Sequence, residues 1–406
     1  MVTTFYPPWH FGGDAVHVQS LARALVRAGH DVDVVCFTDA YRAAGGRADA
    51  ETPARGSMRE SDGVMVHRLE HPLGRWSALW MHQAGSPGPY RSRLAAILDP
   101  GVDVLHFHNV SLAGGPSVLE TGRARLRVLT LHDFWFVCPT HALWKYRVRA
   151  CERPDCTRCC LRSHRPPQLW RHGRARDHAL AHVDVVLAPS AWSARTHRER
   201  GLAAPIDVLP LYSRLAADAG APRPSPARPQ FLYAGRITAS KGVRPLLGLF
   251  ARLPGYDLVV AGDGDERAAL VTDYGNLPNV RFAGNVDAAE LRELYAGATA
   301  TVMPSLARES FGMVAVESMS QGTPVIALDA GGLGEVVRAT GGGLVCADFA
   351  ALEQAVRRVA SDVTLRDALG RAGQAGCRER YSERRYLDDY LSIVHARLHA
   401  RAAAIA

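Results

Sequence analysis

The feature that most restricts the fold is an alternation. Short, almost continuously apolar runs (VMVHRL, VDVLHFH, RVLTLHD, VDVVLAPS, IDVLPLY) are separated by stretches with apolar residues at helical spacing. DAVHVQSLARALVRAG is one such stretch, and Gly29 closes it as a C-terminal cap before the apolar run DVDVVCF. A strand apolar on both faces belongs in a sheet covered by helices on both sides. Strands that alternate with helices therefore predict a parallel, doubly wound α/β architecture. The alternation lapses at residues 213–229, SRLAADAGAPRPSPARP, and restarts with QFLYAGR, YDLVVAGDG, NVRFAGNV, TATVMPS and PVIALDA. The reading is two doubly wound domains with a cleft between them: residues 1–212, a linker 213–229, and residues 230–380. A tail, 381–406, carries a helix over about 383–398 that is placed to cross back to the first domain.

A chain of 406 residues, 47% hydrophobic and 22% charged, has material for two cores and is not disordered. No basic then apolar leader opens it, and no run of roughly 18 apolar residues could span a bilayer. The expectation is a cytoplasmic protein, with contact at the inner face of a membrane as an option. In a reducing compartment the isolated Cys36, Cys346 and Cys377 do not form a disulfide framework.

The other five cysteines crowd into CPTHALWKYRVRACERPDCTRCC, residues 138–160. Cys138, Cys151, Cys156 and Cys159, with Cys160 as an alternative, make a thiolate set that closes on C-x-x-C and suits structural zinc, or an iron–sulfur cluster as the second choice. A redox disulfide or unlinked thiols are the competing readings. Too few aliphatic residues surround them to build a core, so a metal would be what gives the loop its shape. The same insertion, residues 138–176, concentrates charge: residues 145–176 hold ten Lys/Arg against Glu152 and Asp155, which matches the whole net charge of +8. Such a patch can steer an anionic acceptor or meet an acidic membrane surface. It can also be a solvated face, or serve a nucleic-acid-binding module, although only Trp144 and Tyr146 offer aromatic stacking.

In open parallel sheets, ligands bind where strand ends lead into helices. Phe11, Gly12 and Gly13 (FGG) form such a turn, with glycines that let backbone approach an anion. LYAGRITASKG sets Arg236 past a strand end and Lys241 at the next helix start, and AGDG (Ala261–Gly264) is a further turn that marks the fold. In ARESFGMVAVESMSQG, Glu309 precedes a helix beginning near Phe311, Gly312 bares its first N–H groups, and Glu317 follows on the helix. Helix N–H groups suit a diphosphate, and carboxylates suit sugar hydroxyls. His132, in LTLHDFW, ends a strand facing the cleft; His106 and His108 end its neighbour and are read either as site or as core residues.

This ordered series, FYPPWHFGG, VDVVLAPS, YAGRITASKG, NVRFAGNV, ESFGMVAVE, GTPVIA and GGLGEVV, resembles the retaining GT-B glycosyltransferases of family four over nearly the whole chain. The resemblance implies a GT-B fold and transfer of a sugar from a nucleotide-diphosphate donor. It implies that Arg236 and Lys241 neutralise the diphosphate, with N–H groups of Gly312, Met313 and Val314 on the same phosphates. Glu317 would hold the ribose, Glu309 would lie beside the transferred sugar, Phe311 would belong to the donor-binding set, Val286 would meet the base through main chain, and His132 would lie near the anomeric carbon. No catalytic metal is implied. The acceptor, the sugar and the oligomeric state stay open; a nucleotide-sugar epimerase or phosphorylase on the same fold is the alternative chemistry. Two departures stand out: VTTFY is short for a first strand, and LYSR (Leu211–Arg214) replaces the family's Asn-Gly turn.

Overall fold

The computed structural model describes residues 1–46, 52–213, 215 and 228–405, so most of the 213–229 linker lies outside the described residues. The N-terminal strands are β1 (Asp33–Phe37), β2 (Gly56–Arg59), β3 (Met65–Leu69), β4 (Val102–Phe107), β5 (Ala124–Thr130), β6 (Trp144–Lys145), β7 (Arg149–Ala150), β8 (Val185–Ala188) and β9 (Ile206–Val208). The C-terminal strands are β10 (Gln230–Ala234), β11 (Asp257–Ala261), β12 (Val280–Gly284), β13 (Ala300–Met303), β14 (Val325–Leu328) and β15 (Gly343–Cys346).

Two parallel segments, β2-β3-β1 and β4-β5-β8-β9, are joined through Val2, which bridges Val35 on one side and Phe107 on the other. Of VTTFY, Val2 alone bridges to these two strands, and it is fully buried. One edge departs from parallel order: β2 runs antiparallel to β3, and all four of its residues are exposed. An edge strand with no second face to bury needs no apolar run, which is why GSMR carries no strand signal. The hairpin β6–β7 stands apart, inside the cysteine insertion.

The C-terminal sheet is wholly parallel, in the order β12-β11-β10-β13-β14-β15. Chain order reverses between β10 and β13, and a ligand crevice opens outside the strand ends at such a switch point. The last helix, Glu383–Ile405, lies on the N-terminal unit. Tyr386 and Tyr390 hydrogen-bond to His17 (3.3 Å) and His106 (3.1 Å), while Arg397 and Arg401 pair with Asp207 and Asp184. Among the described residues, no helix is long and apolar enough to cross a membrane.

Candidate active site

Arg236 leaves the end of β10 and Glu309 follows β13, so the two loops flank the switch point. They line a cavity of about 500 Å³ between the two domains, together with Lys241, Asp133, Arg147 and Arg165. Lys241 sits in the turn ahead of helix Val243–Phe250, not at its first residue, and its Nζ lies 2.9 Å from Glu309 Oε1. Ser305 donates a hydrogen bond to the same carboxylate oxygen. Arg236 is exposed to the cavity, and among the described residues its side chain has no carboxylate partner.

The helix after Glu309 is Met313–Ser320, so it starts two residues later than Phe311. The N–H groups of Met313 and Val314 open its first turn and have no acceptor within the helix. Gly312 has φ +134°, and a Cβ there would lie 3.0 Å from Leu333 Cδ1. The Phe311 ring is buried in the core, edge-on to Tyr381 at 5.4 Å, so its backbone is the part a donor would meet. On the helix, burial pushes the Glu317 carboxyl up to about 7, against the opposing hydrogen bond that Tyr295 donates at 3.0 Å. Val286, half-buried in the loop after β12, packs in the cluster that includes Tyr295 and Val314. Val286, Val314 and Glu317 are thus brought together around Tyr295.

Gly12 caps helix Gly13–Arg27 in extended backbone, and a Cβ on Gly13 would meet no atom within 4 Å. Space beside this backbone is therefore open. His17, on that helix, has its ring 5.6 Å from His132. His132 does not line the large cavity. It borders a small neighbouring pocket and hydrogen-bonds through Nε2 to His108 Nδ1 at 3.0 Å. His106 stacks on His108 at 3.9 Å and is bonded to Thr130 at 2.8 Å. Burial holds His17, His106, His108 and His132 below the usual imidazole range, so this cluster is neutral near pH 7. His106 and His108 are thus core residues, with His108 also setting the orientation of His132.

The residue after His132 was not singled out from sequence. Asp133 lines the cavity and pairs with His141 at 2.7 Å. Burial opposes its charge, but His141 and the Trp135 N–H outweigh that and hold the carboxyl below the usual range. The loop that carries Glu309 is latched to this strand end, since Ser310 donates to the His132 carbonyl at 2.6 Å and accepts at its own carbonyl from Ser190 at 2.7 Å.

The cysteine insertion forms the opposite wall. Its hairpin carries Arg147 across the cleft to Asp265 at 2.5 Å. Tyr146 and Arg147 both have positive φ, as do His141, Leu143 and His164, so every such non-glycine residue described falls in this segment. The Tyr146 N–H points at Cys159 Sγ, 3.4 Å away. Burial raises the thiols of Cys151, Cys156 and Cys160, the last to about 11. Cys138 and Cys151 share one small cluster with Phe134 and Leu143. No three of the sulfurs lie within 4.8 Å of one another. That is wider than the ~3.8 Å between thiolates on one zinc ion that a bond of ~2.3 Å implies. The described group that does meet this spacing is exposed and elsewhere: Glu120, His178 and His182.

Two family models match the chain, Glycosyltransferase Family 4 over residues 11–211 and Glycosyl transferases group 1 over residues 220–376. The glycogen synthase of Mycobacterium tuberculosis H37Rv is 28% identical, over 92% of this chain and 88% of the relative. Sucrose-phosphate synthase from Thermosynechococcus elongatus shares the fold, with a TM-score of 0.73 at 22% identity over 96% of this chain and 94% of that one. Anabaena HepE in complex with UDP-glucose aligns with a TM-score of 0.63 at 16% identity over 100% and 98%. The switch-point cavity, the E-x7-E helix and the two matched models lead to one conclusion: the chain belongs to the GT-B glycosyltransferases of family four and is a glycosyltransferase.

Proposed function

We propose that this glycosyltransferase takes a sugar from a nucleotide-diphosphate donor and passes it, with retention, to an acceptor such as a cell-envelope glycan, a lipid carrier or a secondary metabolite. The observation that carries the reading is the convergence of Arg236, Lys241 and Glu309 on one cavity at the switch point, with helix Met313–Ser320 beginning shortly after Ser310 of its wall. In the proposed step the bond from the anomeric carbon to the leaving phosphate breaks as the acceptor oxygen bonds to that carbon on the same face. The acceptor proton passes to the leaving phosphate oxygen. Negative charge grows on the diphosphate, so these cations and the helix N–H groups favour the transition state over the ground state. Glu309 holds Lys241 in place beside the sugar, the Gly12–Gly13 backbone approaches the phosphates from the other domain, and the Val286 main chain meets the base. The UDP-glucose complex of HepE supports a donor of this class. Incubation with a panel of UDP-, GDP- and ADP-sugars should release the nucleoside diphosphate and yield a glycoside with the donor's anomeric configuration. A converted donor without glycoside would assign the site to an epimerase instead.

Glu317 gives the reading a pH signature. Its carboxyl is held at about 7, so it is largely neutral below that pH and ionised above it. Ribose hydroxyls need the ionised acceptor, so donor affinity should fall about tenfold from pH 8 to pH 6, in proportion to the ionised fraction. Titration calorimetry checks this, and Glu317→Gln should bind weakly at both pH values with the slope abolished.

We further propose that the insertion holds one structural zinc ion on Cys138, Cys151, Cys156 and Cys159, with Cys160 as the alternative fourth ligand. The Tyr146 N–H aimed at Cys159 Sγ and the shared cluster of Cys138 and Cys151 support this, with the sulfurs drawing together around the ion. Native mass spectrometry should find one zinc per chain, and Cys156→Ser should remove it. Iron with a visible chromophore would mark an iron–sulfur cluster, and a metal-free wild type would leave a set of thiols.

A further inference from the structure

In the N-terminal domain, helix Arg75–Ala84 turns Ser77, Ala78 and Met81 inward and leaves a row of large apolar side chains outside. Trp76 is 59% exposed, Trp80 54%, Leu73 54% and Leu79 37%. Tryptophan is seldom left so open, and contiguous exposed apolar surface marks an interaction site. The carboxylates nearest in space, Asp39 and Glu70, are engaged by Tyr90 and Arg42, and the charge that the sequence adds along this stretch is positive. No carboxylate occurs between Glu70 and Asp99, whereas Arg75, Arg91 and Arg93 do, and the Arg75 guanidinium lies 5.4 Å above the Trp76 ring. The basic insertion abuts the end of this helix. Trp170 donates to the His82 carbonyl at 3.1 Å, and burial, then the charges of Arg165 and Arg171, hold His82 down to about 4. Next to Trp170, Leu169 is 68% exposed.

Tryptophan and leucine on a short helix, with arginines and no carboxylate in the sequence on either side until Glu70 and Asp99, match the boundary between lipid headgroups and acyl chains, where indole rings sit at headgroup level and cations meet anionic lipid. We propose that this face, Leu73, Trp76, Leu79 and Trp80 with Arg75 and the adjoining basic segment, docks the protein on an anionic membrane surface. Arg165 lines the cavity and its charge reaches His82, and Trp170 of the same segment bonds the His82 carbonyl, so the docking face adjoins the N-terminal rim of the site. Resting on the transferase reading, an amphiphilic acceptor held in that membrane would reach the site without leaving it.

The test uses the full chain and vesicles of phosphatidylglycerol and phosphatidylcholine in equal parts, against phosphatidylcholine alone. The wild type should sediment with the anionic vesicles and not with the neutral ones. Its tryptophan emission should shift to the blue on binding and be quenched by lipid brominated near the headgroup. Trp76→Ser/Trp80→Ser should lower partitioning at least tenfold and abolish the quenching, while its circular dichroism and its turnover of donor with water or a soluble acceptor match the wild type. Arg75→Ser/Arg91→Ser should weaken binding and flatten its salt dependence. No wild-type binding to anionic vesicles overturns the proposal, and so does undiminished binding of the double tryptophan variant. Neither result depends on whether the transfer reaction itself is as proposed.

Discussion

Arg236→Gln is expected to lower turnover by about 10²–10³-fold, the usual effect of removing one preorganised group that stabilises developing charge. Three of the cavity's charge pairs are matched, Lys241 with Glu309, Arg147 with Asp265 and His141 with Asp133, while Arg165 and Arg308 have no carboxylate partner among the described residues. Arg236 has no such partner among the described residues, and it leaves the strand end at the switch point. Its charge is therefore available to the diphosphate, whose own charge increases as the sugar departs. The loss should fall mainly on kcat, with KM for the donor changed several-fold at most. Arg236→Lys should recover part of it, because charge is kept while the planar fork is lost. Steady-state kinetics against donor concentration, with thermal melts to show an intact fold, decide the matter. An unchanged kcat would remove Arg236 from the reaction.

Gly262→Ala is expected to destabilise the protein by roughly 3–5 kcal/mol, combining overpacking with a strained backbone conformation. At φ +131°, a Cβ on Gly262 would lie 1.9 Å from the Gly235 carbonyl oxygen, and one on Gly264 would lie 2.2 Å from that of Ile237. The two loops run side by side, with the Gly235 N–H on the Ala261 carbonyl (3.0 Å) and the Ile237 N–H on that of Asp263 (2.8 Å). A methyl group there must push the Gly235–Ile237 loop away, and Arg236 lies in its middle. Urea denaturation should therefore show a lowered midpoint, and any folded fraction should bind donor poorly. Gly13→Ala is the contrast. Its Cβ would meet nothing within 4 Å and its φ is not in the left-handed region, so stability should not fall. Equal stability of the two variants would contradict the reading of AGDG as a close-approach turn.

Much of the fold was legible because parallel strands buried on both faces write continuous apolar runs, and the loops after them write glycine and charge. Arg236, Lys241, Glu309 and Glu317 stand out in the sequence for that reason. The edge strand Gly56–Arg59 was not, since an exposed antiparallel edge imposes no apolar pattern. Sequence order near a helix start does not say which side a ring takes, and at Phe311 the core took it. Asp133 and His141 were passed over because they are eight residues apart in a loop, and only the turn at Cys138, whose carbonyl accepts from the His141 N–H at 3.0 Å, makes them a pair.

The sequence alone determined what short-range pattern can carry: two doubly wound units, their strand-to-helix turns, and the residue types placed there. Periodicity and turn chemistry act within a few residues, so one chain suffices to read them. The tertiary structure decided what distant segments do together. It brought Arg147 of the insertion to Asp265, set Tyr386 and Tyr390 of the last helix against His17 and His106, and left Trp76 and Trp80 outside. Such pairings depend on which surfaces remain once both cores are packed, and burial, unlike propensity, is a property of the whole chain.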